Sequence, residues 1–150
     1  MKGDMMVWNV KKILVPTDGS KAAKLAVEVA LDTAKQRNAE VVALFVVDMP
    51  HLLADRVAEA VRRDVGEPAV KEVVRAAKKE NLKVKGLVEE GNAADTILKV
   101  AKKEDIDLIV MGTRGASVTK RLLGSVASSV IIYAPCPVLA VREKVKTWEG

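Results

Sequence analysis

Cysteine, histidine and aromatic side chains are scarce in this chain, and each shortage removes a class of chemistry. The single cysteine, Cys136, excludes an intramolecular disulfide. One histidine, His51, cannot build a histidine-rich metal cluster or support a Ser-His-Asp triad. Aromatic residues are 3% of the chain, and Trp8, Phe45, Tyr133 and Trp148 are scattered. Single-stranded nucleic acid needs adjacent stacking rings, so nucleic acid is disfavoured as a partner despite a net charge of +5. The basic groups Lys71, Arg75, Lys78, Lys79 and Lys99, Lys102, Lys103 read as solvated helix faces. No apolar run has transmembrane length, and Met1-Lys2-Gly3-Asp4 does not begin a secretory leader, so the expected location is the cytoplasm, without membrane contact. No Gly-Lys-Ser/Thr phosphate loop occurs, and no Gly-x-Gly-x-x-Gly run follows the first strand.

Apolar residues make up 49% and charged residues 30% of 150 residues, which suits one globular domain over 1–150. Its core is expected at about 10–142, with a polar tail over 143–150. Apolar runs alternate with helical periods. Val10–Pro16 reads as the first strand, and Lys21–Arg37 as a helix capped by Ser20. Glu40–Val47 is an unbroken β-branched and apolar run, hence the second strand, followed by a loop over Asp48–Ala54. The helical region from about Leu53 to Asn81 is interrupted by Gly66 and Pro68, which predicts two pieces. Leu82–Glu89 alternates as the third strand, and Gly91-Asn92 turns the chain. Ala93–Glu104 is the next helix and Asp107–Gly112 the fourth strand. Ser125–Tyr133 is the last helix, stopped by Pro135-Cys136-Pro137 before a fifth strand over Val138–Arg142.

This alternation predicts an α/β fold, an open parallel sheet of five strands covered by helices on both faces. Ligands of such sheets bind beyond the strand C-termini, where strand order reverses. Two strand exits carry unusual residues. Pro16-Thr17-Asp18-Gly19-Ser20 follows the first strand. Gly112-Thr113-Arg114-Gly115 follows the fourth, with Gly124-Ser125-Val126 opening the last helix. Glycines at a strand exit let backbone N–H groups approach a phosphate, and a helix N-terminus adds partial positive charge. The same glycines also suit plain turns, Asp18 also suits a turn, and Ser125 a helix start. Arg114 reads equally as a phosphate partner or a solvated charge. Lys120 and Arg121 read as solvated or dimer-facing, and Cys136 as a packed residue rather than a reactive thiol.

From Val10 to Arg142 the chain resembles the universal stress protein family. The resemblance rests on Lys12-Ile13-Leu14-Val15-Pro16-Thr17-Asp18-Gly19-Ser20 and on Val46-Val47-Asp48. It rests equally on Met111–Gly115 with Gly124-Ser125-Val126-Ala127, and on Ala134-Pro135-Cys136-Pro137-Val138-Leu139-Ala140-Val141. It implies a Rossmann-like, adenine-nucleotide alpha-hydrolase-like fold with strand order 3-2-1-4-5. It implies ATP, or ADP or AMP, with Mg2+ or Mn2+. Thr17 and Val46 would line the adenine pocket, and Asp18 would hold the ribose hydroxyls or help with a metal. The N–H groups of Arg114, Gly115, Ser125 and Val126 would take the phosphates, and Pro16, Gly112, Thr113 and Gly124 would belong to the same nucleotide site. A homodimer through the edge strand Val138–Val141 is implied, and an unidentified protein partner is compatible with it. The family's ATP-binding branch places nine residues between its second and third glycines, and this chain has eight, Ala116 to Leu123. The match from Lys120 onward puts the shortening within Ala116–Thr119. The same family contains interaction modules without nucleotide, and slow ATP hydrolysis is the remaining alternative; no general base beyond Asp18 stands out.

Overall fold

The computed structural model describes residues 8–48, 55–113 and 123–142. Its elements are β1 (Lys12–Pro16), α1 (Lys21–Arg37), β2 (Glu40–Val47), α2 (Asp55–Val61), α3 (Glu67–Lys79), β3 (Val84–Glu90), α4 (Ala93–Lys103), β4 (Leu108–Gly112), α5 (Ser125–Tyr133) and β5 (Val138–Val141). All neighbouring strands pair in parallel, in the order β3-β2-β1-β4-β5. This is the expected doubly covered sheet, with the expected order.

Strand alternation sorts the core into two layers. Ile13, Val15, Val41, Ala43, Phe45, Leu108 and Val110 point to one face and meet Val27, Ala30 and Ala34 of α1 and Val70 and Val73 of α3. Leu14, Val42, Leu44, Ile109 and Met111 point to the other and meet Ile97, Val100 and Ala101 of α4 and Ala127 and Val130 of α5. Being buried on both faces explains why β1, β2 and β4 read as continuous apolar runs.

Several boundaries move from the expectation. β1 begins at Lys12, although Val10 is buried. β4 begins at Leu108, because the Asp107 side chain turns back. Its Oδ2 accepts from the Lys11 and Lys12 N–H groups at 2.9 and 3.0 Å, and its own N–H donates to the Lys12 carbonyl at 2.9 Å. That clip sets the β1–β4 register. β3 runs two residues later than expected at its start, and one later at its end. α4 stops at Lys103 and β5 at Val141. Asn38, Asn81 and Asp105 carry the left-handed conformations after α1, α3 and α4, where short polar side chains are tolerated.

The two-piece reading of the central helical region needs correction. The chain stays helical from Asp55 to Lys79, through a π-helical turn at Arg62–Gly66. Glu67 N–H bonds the Arg62 carbonyl, and this wider turn relieves the clash that Pro68 would make with the carbonyl four residues earlier. Gly66 permits it by packing closely on Phe45: a Cβ there would lie 2.8 Å from Phe45 Cδ1.

Gly86 is required by packing between β3 and α3, since a Cβ there would lie 2.4 Å from Val70 Cγ1 and 3.1 Å from Val74 Cγ2. Gly86→Ala is expected to lower the unfolding free energy by about 1–3 kcal/mol through overpacking, read from the midpoint of urea denaturation. An unchanged midpoint would contradict this packing.

Candidate functional site

The two strand exits singled out in the sequence meet at the C-terminal edge of the sheet, because β1 and β4 are neighbours. After β1, Thr17 N–H donates to the Leu44 carbonyl at 2.8 Å, tying the exit to β2. Side chains then order the loop. Thr17 Oγ1 accepts from Gly19 N–H at 3.1 Å, and Asp18 Oδ1 from Ser20 N–H at 2.9 Å. Ser20 Oγ accepts from Ala23 N–H at 3.1 Å and so caps α1, as expected. Gly19 holds φ at +80°, a conformation that favours glycine. Thr17 is buried, while Asp18 stands exposed at the rim.

After β4, Gly112 passes close to α1, where a Cβ would lie 3.3 Å from the Ala22 carbonyl oxygen. Thr113 N–H donates to Val141 of β5 at 3.1 Å, and its carbonyl accepts from Gly124 N–H at 2.7 Å. Arg114 and Gly115, with Ala116–Thr119, Lys120 and Arg121, lie outside the described residues, as do His51 and the tail over 143–150.

α5 begins differently from its neighbours. Its N-cap is Gly124, which offers no side-chain acceptor. The first helical bond is Ser128 N–H to the Gly124 carbonyl at 2.9 Å, and Ser128 Oγ donates to the same oxygen at 2.9 Å. The N–H groups of Ser125, Val126 and Ala127 lie ahead of that bond and have no helical acceptor. Ser125 is therefore the first helical residue, not a cap.

Pro16, Thr17, Asp18, Val46, Gly112, Thr113, Gly124, Ser125 and Val126 surround one pocket of about 210 Å3. The sequence reading did not assign Ala23, Leu44, Ala93, Ile97, Met111 and Ala127 to the site, and these also line it. Leu44 was accessible in principle, since it lies two residues before Val46 on the same strand face. Ala93 and Ile97 were signalled only by Asn92, whose Oδ1 caps α4 by accepting from Asp95 N–H at 3.0 Å. The pocket thus has an apolar slot formed by Leu44, Val46, Ile97 and Met111, a carboxylate at its rim, and a helix start without a side-chain cap.

The universal stress protein family model matches residues 9–142. The chain belongs to the universal stress protein family. A universal stress protein of Methanothermobacter thermautotrophicus is 40% identical over 146 residues, covering 91% of this chain and 99% of that protein. The structure of the universal stress protein UspA from Lactobacillus plantarum superposes with a TM-score of 0.79 at 30% identity, covering 89% of this chain and 99% of its own. A universal stress protein solved in complex with cAMP superposes with a TM-score of 0.72 at 25% identity, covering 89% and 97%.

Among the described residues no group of three or more His, Cys, Asp or Glu side chains is arranged for a metal, and no helix is long and apolar enough to cross a membrane. Cys136 is half-buried against the α4–α5 layer. Burial, then the Asp107 carboxylate, push its thiol above the ordinary range. A raised pKa leaves less thiolate at any pH below it. Alkylation of Cys136 by iodoacetamide at pH 8 is therefore expected to be slower than that of a free cysteine thiol, followed by intact mass. Equal or faster labelling would show that the thiol is activated instead.

Proposed function

We propose that this protein binds an adenine nucleotide, ATP with Mg2+ or Mn2+, in the crevice between the β1 and β4 exits. One observation carries the reading: the uncapped start of α5 faces the same pocket as an apolar slot. A flat base suits the slot between Leu44, Val46, Ile97 and Met111, where its faces leave water. Asp18 at the rim has the chemistry to accept from two ribose hydroxyls. The Ser125, Val126 and Ala127 N–H groups, at the positive end of the helix dipole, suit a phosphate. Arg114 and Gly115 are assigned to the phosphates with them, on the family resemblance. Among the pocket-lining residues the carboxylate is Asp18. One carboxylate together with phosphate oxygens is a usual Mg2+ environment, so the donor set fits the cation. Bound there, the cation would offset phosphate charge. The relative solved with cAMP supports the class of ligand. The role assigned is binding and regulation in the cytoplasm, not turnover. Asp18 Oδ1 already holds the Ser20 N–H, so it is poorly placed as a base for hydrolysis.

Mg-ATP, ADP or AMP at about 100 times its Kd is expected to stabilise the fold by about 2.7 kcal/mol, seen as a rise in Tm. Asp18→Ala is expected to weaken binding about tenfold, consistent with loss of a charge-assisted hydrogen bond. No Tm shift with any of the three at millimolar concentration would leave the nucleotide-free interaction module as the correct reading.

A homodimer through β5 belongs to the same proposal. The two sheet edges differ. On β3 the Lys83 carbonyl points inward to Val41 N–H at 2.9 Å, so by alternation the Val88 carbonyl points outward. Arg62 Nη1 covers that carbonyl at 3.1 Å. Charged Lys85, Glu89 and Glu90 make this edge a poor template for strand addition. β5 is short and apolar with Leu139 exposed, and Ile131, Ile132 and Tyr133 at the end of α5 are exposed as well. Light scattering is expected to give twice the 16.2 kDa chain mass, and Leu139→Lys to shift it toward one chain. A concentration-independent monomer of the native chain would refute the dimer.

A further inference from the structure

Among the described residues three helices begin around the pocket, and of these α5 starts without a side-chain cap. At α1, Ser20 Oγ occupies the Ala23 N–H. At α4, Asn92 Oδ1 occupies the Asp95 N–H, and a second side chain from elsewhere occupies the first: Asp48 Oδ2 accepts from Ala93 N–H at 2.9 Å. Asp48 directly follows β2, whereas Ala93 opens α4 after β3, so the bond spans 45 residues and joins two strand exits. Ala93 lines the pocket and Asp48 does not. The carboxylate is exposed, outside the pocket lining, and acts through Ala93, which forms part of that lining.

We infer that Asp48 is the positioning residue that directs an anion to α5 and away from α4. It does so in two separable ways. Its oxygen fills the first N–H of α4, which belongs to the pocket-lining residue Ala93, so that donor is not open to a phosphate. Its negative charge, with that of Asp95 in the first turn of α4, offsets the positive end of the α4 dipole. α5 has neither an acidic residue in its first turn nor a side-chain cap. Among the described residues the pocket is therefore polarised: carboxylates at the β1 and β2 exits, an uncapped helix start at α5. A ligand with an anionic end and a hydroxyl-bearing or apolar body is held in one orientation. The same bond holds Ala93, and with it Ile97 one turn later, against the slot.

Two variants separate the roles. Asp48→Asn keeps an oxygen that can accept from Ala93 N–H but removes the charge, whereas Asp48→Ala removes both. The first readout needs no nucleotide. Inorganic phosphate is titrated against the 15N-labelled protein. In the native chain the amides of Ser125, Val126 and Ala127 are expected to shift and those of Ala93 and Ala94 to stay. In Asp48→Ala the Ala93 and Ala94 amides are expected to shift too, and the Ala93 amide to exchange faster with solvent. Asp48→Asn is expected to keep Ala93 protected. Phosphate shifts at Ala93 in the native chain, at neither helix start, or at α5 alone in Asp48→Ala would each overturn the inference.

The second readout rests on the nucleotide reading. Adenosine affinity is expected to fall about tenfold in Asp48→Ala and less than about threefold in Asp48→Asn, the difference being the lost hydrogen bond. Equal affinities in all three proteins would overturn the positioning role. Native protein that binds phosphate at α5 but no adenosine would instead refute the nucleotide reading, leaving the phosphate titration to decide the inference.

Discussion

Everything at the C-terminal edge of the sheet depends on β1 lying between β2 and β4. That placement brings the Pro16-Thr17-Asp18 exit beside the Gly112-Thr113 exit, although almost a hundred residues separate them in sequence. Two apolar layers hold β1 there, with Ile13, Leu14 and Val15 fully buried. Non-directional burial does not choose a register by itself; a slip of one residue would exchange the layers, but a slip of two would not. Directional bonds at the opposite edge supply that choice. The Asp107 clip on Lys11 and Lys12 aligns Ile13 with Leu108. Glu104, paired with Lys85 and Lys12 on the same edge, has its carboxyl held below the usual range, chiefly by the Lys85 hydrogen bond. The register at one end of the sheet thus sets the loop geometry at the other.

Above that edge the helix starts around the pocket differ in which backbone donors the described side chains occupy. Helix starts are alike in carrying several N–H groups without helical acceptors. They differ in what surrounds them. Serine, asparagine and aspartate side chains claim donors at α1 and α4. At α5 the cap position is glycine, and its own N–H is already committed to the Thr113 carbonyl. The result is a concentrated set of donors at one end of an apolar slot. Loss of a cap ordinarily costs a helix about 1 kcal/mol. Here α5 tolerates it because Ala127 and Val130 anchor the helix to Leu14, Ile109 and the rest of that core layer.

Much of this was legible from the residues. Continuous apolar strands predicted a sheet covered on both faces, Ser20 proved to cap α1, and Gly19 holds its turn in a left-handed conformation. What escaped was the part that depends on contacts far apart in sequence. Leu44 and Met111 look like any core residue until the strands are placed side by side. Asp48 looked like the start of a loop, because the N–H it accepts belongs to Ala93. Gly66 and Pro68 looked like a break, because their local preference opposes a helix. Packing of Phe45 and Val88 against Gly66 outweighs that preference, and a wider turn absorbs the proline.

The two sheet edges follow the same logic. A parallel sheet that ends in exposed strands leaves a row of unpaired backbone groups on each side. On β3 the π-helical turn that accommodates Pro68 also carries Arg62, whose guanidinium reaches the outward Val88 carbonyl. One local distortion therefore serves two ends: it keeps the helix continuous, and it closes an edge that would otherwise be a second template. Pairing through both edges would propagate without limit, whereas pairing through one closes on a two-fold axis. Among the described residues β5 is the more apolar of the two edge strands, with Leu139 exposed. Thr113 ties it to the pocket, since its N–H bonds Val141 while its carbonyl holds the cap of α5. β5 and the start of α5 are thus joined through a single residue.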